Sequence, residues 1–208
     1  MRVALIDYGA GNLRSAHRAL EAAGAEPAVV SGPRGLQDAD AIVVPGVGAF
    51  PPAMAALHAA GMVEPLRAAA GSGVPLVGIC LGMQLLFDHS EEGGGATGLG
   101  LLAGEVHRLP AGVKVPHMGW NTLRPRTSDP ILRGLPEQAH FYFVHSYVVA
   151  PVDAGVVVAE TVYGAWFPAI VHSGVIWGLQ FHPEKSSRLG AQILRNLLAL
   201  LSASRGRR

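Results

Sequence analysis

The segment Val74-Pro-Leu-Val-Gly-Ile-Cys-Leu-Gly-Met-Gln-Leu-Leu-Phe87 constrains the fold more than any other. Residues 75–79 form a short apolar run, the pattern of a strand buried on both faces in a parallel sheet. Residues 81–87 then carry Leu81 and Leu85 at helical spacing among good helix formers. Cys80 stands at the switch, with Gly78 two residues before it and Gly82 two after. A strained strand-to-helix turn of this kind lifts one side chain off the end of a sheet, and small neighbours let strand and helix close beneath it. The helix N-terminus then lies beside the sulfur, and its N–H groups favour the anionic form. The competing reading is a plain core cysteine, since free cysteine is among the most buried residue types. Two glycines flanking the switch point weigh against it.

The rest of the chain supplies a sheet for that turn. Residues 2–6, 28–30 and 41–44 read as short strands, separated by a helix that Asn12 caps and that Leu13, Ala16 and Leu20 line. Two alanine-rich helical stretches, 52–60 and 62–70, precede the strand at 75–79. This alternation predicts an α/β fold: an open, largely parallel twisted sheet flanked by helices. Ligands in such sheets bind beyond the carboxyl ends of the strands. Strand direction alone therefore makes Cys80 a neighbour of the loop Pro45-Gly-Val-Gly-Ala-Phe50.

Residues 90–99, with three consecutive glycines, read as a flexible loop. Beyond it the pattern turns to β structure, with strands at 105–109, 122–124, 141–149, 156–162, 169–172 and 175–181, and Ser173-Gly174 as a two-residue hairpin turn. A final amphipathic helix covers 187–200. These strands form an added antiparallel region rather than a separate unit, so residues 1–208 are expected to be a single domain.

Half of the 208 residues are hydrophobic, which suits one sizeable core, and the net charge of +1 leaves no electrostatic footprint for nucleic acid. One cysteine allows no internal disulfide, in keeping with a reducing compartment. Charge comes too early at the N-terminus for a signal peptide, and no apolar run approaches the ~20 residues of a membrane span. A cytoplasmic protein is expected, with 205–208 as a frayed basic tail. The Gly9-Ala-Gly11 loop before the first helix lacks the full dinucleotide fingerprint and reads as a turn.

A free thiol needs a base. Among nine histidines, His182 stands apart because Gly178-Leu-Gln-Phe-His-Pro-Glu184 leads directly off a core strand. In an extended backbone residues two apart point the same way, so Glu184 can reach His182 and fix its tautomer. Taken alone, His-Pro-Glu is equally a surface turn. Joined to the elbow, it makes a Cys80–His182–Glu184 triad. Acyl transfer also needs donors aimed at the developing oxyanion. The N–H groups of Leu81 and Val47 are the candidates, and the glycines beside Val47 leave that loop free to flip. Gln84, four residues after Cys80, shares its helix face and can meet a polar substrate. Cys80 with His182, Glu184 or His145 would be a rival zinc site, although no metal-ligand spacing supports it.

These motifs resemble those of the class I (triad-type) glutamine amidotransferases. The resemblance spans most of the chain and is closer still to the glutaminase subunits of imidazole glycerol phosphate synthases. It rests on Asp7–Asn12, Pro45–Phe50, Gly78–Gln84, Pro116-His-Met-Gly-Trp-Asn121, Tyr142-Phe-Val-His-Ser-Tyr147 and Gly178–Ser186. It implies hydrolysis of glutamine to glutamate and ammonia through a thioester on Cys80, without metal or organic cofactor. Gly48, Gln84, Ser146 and Tyr147 would contact glutamine. It also implies a separate (β/α)₈-barrel cyclase partner that takes the ammonia to make imidazole glycerol phosphate in histidine biosynthesis. Trp120, Asn121, Tyr142 and Lys185 are candidates for that interface, with core packing the alternative for Trp120 and Tyr142. The glutaminase of another pathway, or a regulatory subunit without activity, also fits the motifs.

Overall fold

The computed structural model describes residues 1–9 and 11–205. Ala10, inside the first glycine loop, and residues 206–208, within the expected basic tail, lie outside it. The first half alternates strand and helix: β1 (Arg2–Ile6), α1 (Leu13–Ala22), β2 (Glu26–Val30), β3 (Ala41–Val44), α2 (Phe50–Ala59), α3 (Val63–Gly71), β4 (Leu76–Ile79) and α4 (Leu81–Leu85). Strands dominate the second half: β5 (Phe87–Ser90), β6 (Ala96–Thr97), β7 (Leu102–Arg108), β8 (His117–Thr122), β9 (Arg124–Pro125), β10 (His140–His145), β11 (Tyr147–Pro151), β12 (Val157–Tyr163), β13 (Ala165–Ser173) and β14 (Ile176–Leu179). Helix α5 (Ser187–Arg205) follows.

Eight strands make the main sheet, in the order β2-β1-β3-β4-β14-β13-β12-β9. It is parallel from β2 through β14 and antiparallel beyond, as the alternating and then β-rich pattern predicts. Every residue of β3, β4 and β14 is buried, which explains their uninterrupted apolar runs. Successive side chains point to opposite faces, and each face has its own core. Val3, Leu5, Val43 and Val77 pack with Ala16 and Leu20 of α1 and Leu194 and Leu197 of α5. Ala4, Ile6, Ile42 and Val44 pack with Phe50 and Leu57 of α2 and Leu66 of α3. Strands β10 and β8 form a separate ribbon, and β11-β7-β5-β6 a four-stranded sheet.

Several boundaries differ from expectation. The helix after Cys80 stops at Leu85 instead of running to residue 87, because Leu99, Leu101 and Leu102 donate N–H groups to the carbonyls of Leu85 and Leu86 and pull Phe87 into β5. The stretch 90–99 is an ordered β5–β6 hairpin, its Gly93, Gly94 and Gly95 all at positive φ, where glycine avoids the steric cost. The expected strand 141–149 breaks at Ser146 into β10 and β11, which pair in different sheets. Residues 117–122 form a strand that the sequence pattern missed. Ser173 pairs with Ile176, so the hairpin turn is Gly174-Val175, one residue later than expected.

Candidate active site

Cys80 adopts φ 54° and ψ −108°, and only Ser187 shares a positive φ among the described non-glycine residues. Such a backbone costs on the order of 1–3 kcal/mol and persists only where its surroundings over-determine it. Here the Cys80 N–H donates to the Leu179 carbonyl at 2.7 Å, and its own carbonyl accepts from Met83 at 3.0 Å and Gln84 at 3.3 Å. The flanking glycines are required sterically. A Cβ on Gly78 would strike the Gly82 carbonyl, and one on Gly82 would strike the Val44 carbonyl of β3. Helix α4 thus lies directly on the sheet, with the thiol at its edge.

Strand β14 lies beside β4 in parallel, Leu179 opposite Ile79, so the chain leaving β14 emerges next to Cys80. There His182 and Glu184 meet, Nδ1 2.7 Å from Oε1, with side chains 2% and 7% exposed. The backbone is not extended as expected. A single 3₁₀ turn over Pro183–Lys185 brings the carboxylate round. An ionised carboxylate only accepts, so Nδ1 carries the hydrogen and Nε2 is left for chemistry. Nε2 is buried without an aligned hydrogen-bond partner. Burial by itself would lower the basicity of His182, but the Cys80 sulfur and the Glu184 carboxylate outweigh it and hold the imidazole at about 10. Catalytic hydrogen bonds are commonly loose before substrate binds.

A cavity of about 470 Å³ opens over Cys80, lined by Val47, Gly48, Leu81, Gln84, Ser146 and Tyr147 among others. Leu81 opens α4, so its N–H has no carbonyl within the helix to meet. Gly48 sits at φ +107°. The loop before it is clamped from below, the Tyr8 hydroxyl donating to the Pro45 carbonyl at 2.7 Å. Burial raises the Tyr8 hydroxyl far above its usual range, and the nearby Cys80 adds to this. Gln84 is almost fully buried and already committed, its Nε2 donating to the Tyr147 carbonyl at 2.9 Å and to Gln180 Oε1 at 3.2 Å. Among the described residues no three of His, Cys, Asp and Glu are grouped to hold a metal ion.

The sequence model of glutamine amidotransferase class-I matches residues 4–200. The chain belongs to the class I glutamine amidotransferases. It is 51% identical over 194 residues to the imidazole glycerol phosphate synthase subunit HisH of Moorella thermoacetica, covering 93% of this chain and 92% of that one. It is 54% identical over 200 residues to the HisH subunit of Xanthomonas campestris pv. campestris, covering 95% and 97%. A solved glutamine amidotransferase shares the fold with a TM-score of 0.76 at 24% identity, over 96% of this chain and 98% of that one. PurLQS from Thermotoga maritima does so with 0.75 at 25%, over the same shares. The chain is an enzyme subunit of the amidotransferase type, grouped with HisH.

Against that background, the residues singled out in this amidotransferase's sequence fall into three places. Cys80 and the glutamine-contact candidates line the cavity, whereas His182 and Glu184 line a small recess that shares Val47 with it. Trp120, Tyr142 and Lys185 form an outer cluster, of which Lys185 also lines the cavity: the Trp120 and Tyr142 rings meet edge to face at 6.0 Å, and the Lys185 ammonium lies 5.7 Å from the Tyr142 ring. Trp120 is 52% exposed and Met118 63%, so neither is core packing. Asn121 alternates with Trp120 and faces the other way, donating to the Val162 carbonyl at 2.9 Å. Two residues at the site escaped the sequence reading. Glu92 lines the cavity while its Oε2 accepts the Phe50 N–H at 2.7 Å. Gln180, fully buried, donates from Nε2 to the Cys80 sulfur at 3.7 Å. The acidic pair at 91–92 and the glutamine two residues before His182 were the available signals.

Proposed function

We propose that this chain, acting as one domain over residues 1–208, hydrolyses glutamine to glutamate and ammonia through a γ-glutamyl thioester on Cys80. The observation that carries the proposal is the 2.7 Å His182–Glu184 contact beside a cysteine forced to positive φ at the end of a parallel strand. His182 takes the thiol proton, and the sulfur attacks the carboxamide carbon. Val47 and Leu81 N–H groups receive the resulting oxyanion. As the C–N bond breaks, His182 gives its proton to the leaving nitrogen, and ammonia departs. A water then attacks the thioester with His182 again as base, releasing glutamate and restoring the thiol. Glu184 keeps the imidazole oriented and stabilises its cationic form.

Gly48, Gln84, Ser146 and Tyr147 contact the substrate. Both Nε2 hydrogens of Gln84 are spent on the protein, so it offers only Oε1, an acceptor suited to an ammonium or amide group. Glu92 adds negative charge for the α-ammonium. No cofactor takes part. The ammonia passes to a separate (β/α)₈-barrel cyclase, which makes imidazole glycerol phosphate and an aminoimidazole carboxamide ribotide in histidine biosynthesis. The name carried by the relatives and the exposed cluster of Met118, Trp120, Tyr142 and Lys185 support that partnership. No described helix is long and apolar enough to cross a membrane, which suits a cytoplasmic complex.

The deciding experiment is ammonia release by the chain assembled with its candidate cyclase and that enzyme's nucleotide substrate. Cys80→Ala should abolish release and leave assembly intact. Activity retained in that variant would exclude the nucleophile.

A further inference from the structure

Two carboxamides stand behind the sulfur in a fixed order. The Tyr147 carbonyl only accepts, so the group of Gln84 that faces it at 2.9 Å is its nitrogen. The second hydrogen of that nitrogen reaches Gln180 Oε1 at 3.2 Å, which leaves Gln180 Nε2 facing the Cys80 sulfur at 3.7 Å. Flipping Gln84 would set its oxygen against the Tyr147 carbonyl oxygen, and flipping Gln180 would set its nitrogen against the Gln84 nitrogen, donor against donor. The same carbonyl also receives His145 Nδ1 at 2.9 Å, so that nitrogen is the protonated one. His145 Nε2 is therefore an acceptor, and His117 Nδ1 donates to it at 3.0 Å. Burial keeps His145 neutral, at about 3, which preserves this order. A carboxamide fully removed from water thus holds one N–H on the nucleophile, and a series of neutral groups prevents it from turning away.

We propose that Gln180 is a further catalytic residue: its N–H stabilises the sulfur as it loses its proton and when the thioester releases it. The inference rests on Cys80 being the glutaminase nucleophile. Val144, whose carbonyl accepts the thiol hydrogen at 3.6 Å, offers only an acceptor and serves the protonated sulfur. Gln180 serves the anionic one. The two contacts to the sulfur are therefore complementary.

The test is the rate of Cys80 alkylation by iodoacetamide at pH 7.5 in the full chain. Gln180→Met keeps the shape and removes the donor; the rate should fall roughly tenfold, the order expected for one hydrogen bond to a charged group. Gln180→Glu still accepts from Gln84 but sets a carboxylate against the sulfur, so its rate should fall further than that of Gln180→Met. A Gln180→Glu variant, folded by circular dichroism and within twofold of the unchanged protein, would overturn the proposal. A second measurement needs no change at Gln180. Its side-chain amide signals in nitrogen-15 NMR should move between the unchanged protein and Cys80→Ala, and coincident signals would also overturn the proposal. Glutamine should slow alkylation of the unchanged protein. Failure of that protection counts against the glutaminase reading and leaves the Gln180 result to stand separately.

Discussion

The amide hydrogen of His182 is bound to the carbonyl of Tyr142 at 2.9 Å. Ser186 completes the clamp, its hydroxyl donating to the His182 carbonyl at 2.6 Å and accepting the Tyr142 N–H at 3.0 Å. The strand that carries the outer Tyr142 ring therefore also holds the backbone of the candidate base. Any displacement of β10 by a partner is felt at His182 through main-chain bonds alone.

Removing that clamp should loosen the base without touching the reacting atoms. Ser186 is 1% exposed, so Ser186→Ala takes this acceptor from the part-buried Tyr142 N–H, while the His182 carbonyl keeps the Lys185 N–H at 3.1 Å. A stability loss of about 1–3 kcal/mol by urea unfolding is expected. The glutaminase kcat should drop while KM for glutamine stays nearly constant.

Glu184→Gln keeps an oxygen that can accept the Nδ1 hydrogen, so it isolates charge from geometry. Without the carboxylate the imidazole loses a contribution that raises it. The kcat of the assembled enzyme should fall on the order of 10²-fold, read from ammonia release at saturating glutamine. An activity unchanged within experimental error would show that the carboxylate plays no part.

Gly82→Ala tests the elbow. In an exposed helix this change stabilises by up to about 1 kcal/mol. Here the added methyl meets the Val44 carbonyl, a backbone atom that cannot swing aside. Overpacking of this kind costs about 1–3 kcal/mol, so thermal unfolding should shift downward and alkylation of Cys80 should change with it.

The imidazoles give stability two opposing slopes with pH. His145 is lowered to about 3, chiefly by burial, so between pH 6.5 and 3 the unfolded chain takes a proton that the folded one refuses. Stability therefore falls on acidification, by about 1.4 kcal/mol per pH unit from this group. His182 is raised to about 10, so its contribution is complete below pH 6.5 and is lost as pH climbs toward 10. Urea unfolding across this range should show a maximum near neutrality. His145→Gln should remove its share of the acid slope and leave the alkaline limb in place.

Local pattern made the parallel half, the turn at Cys80 and the His182–Glu184 contact legible. Apolar runs mark fully buried strands, and glycines two residues either side of a cysteine mark a turn with no room for side chains. The rest depends on partners distant in sequence. Residues 141–149 read as one run rich in aromatic and β-branched residues, and only pairing of 140–145 with 117–122 and of 147–151 with 104–108 breaks the strand at Ser146. The glycines at 93–95 suggested mobility, but their positive φ angles build a tight turn. Gln180 looked like any polar residue on a strand end, since its partners Cys80 and Gln84 lie about a hundred residues away.

Because β14 docks beside β4, the thiol and the imidazole leave neighbouring strands at the same level, although the chain runs a further hundred residues between them. A nascent or truncated chain ending before residue 182 carries its sulfur with no base to work it. The candidate pair meets only when the C-terminal part has closed onto the N-terminal sheet, so by the proposed mechanism an unfinished copy cannot turn over glutamine.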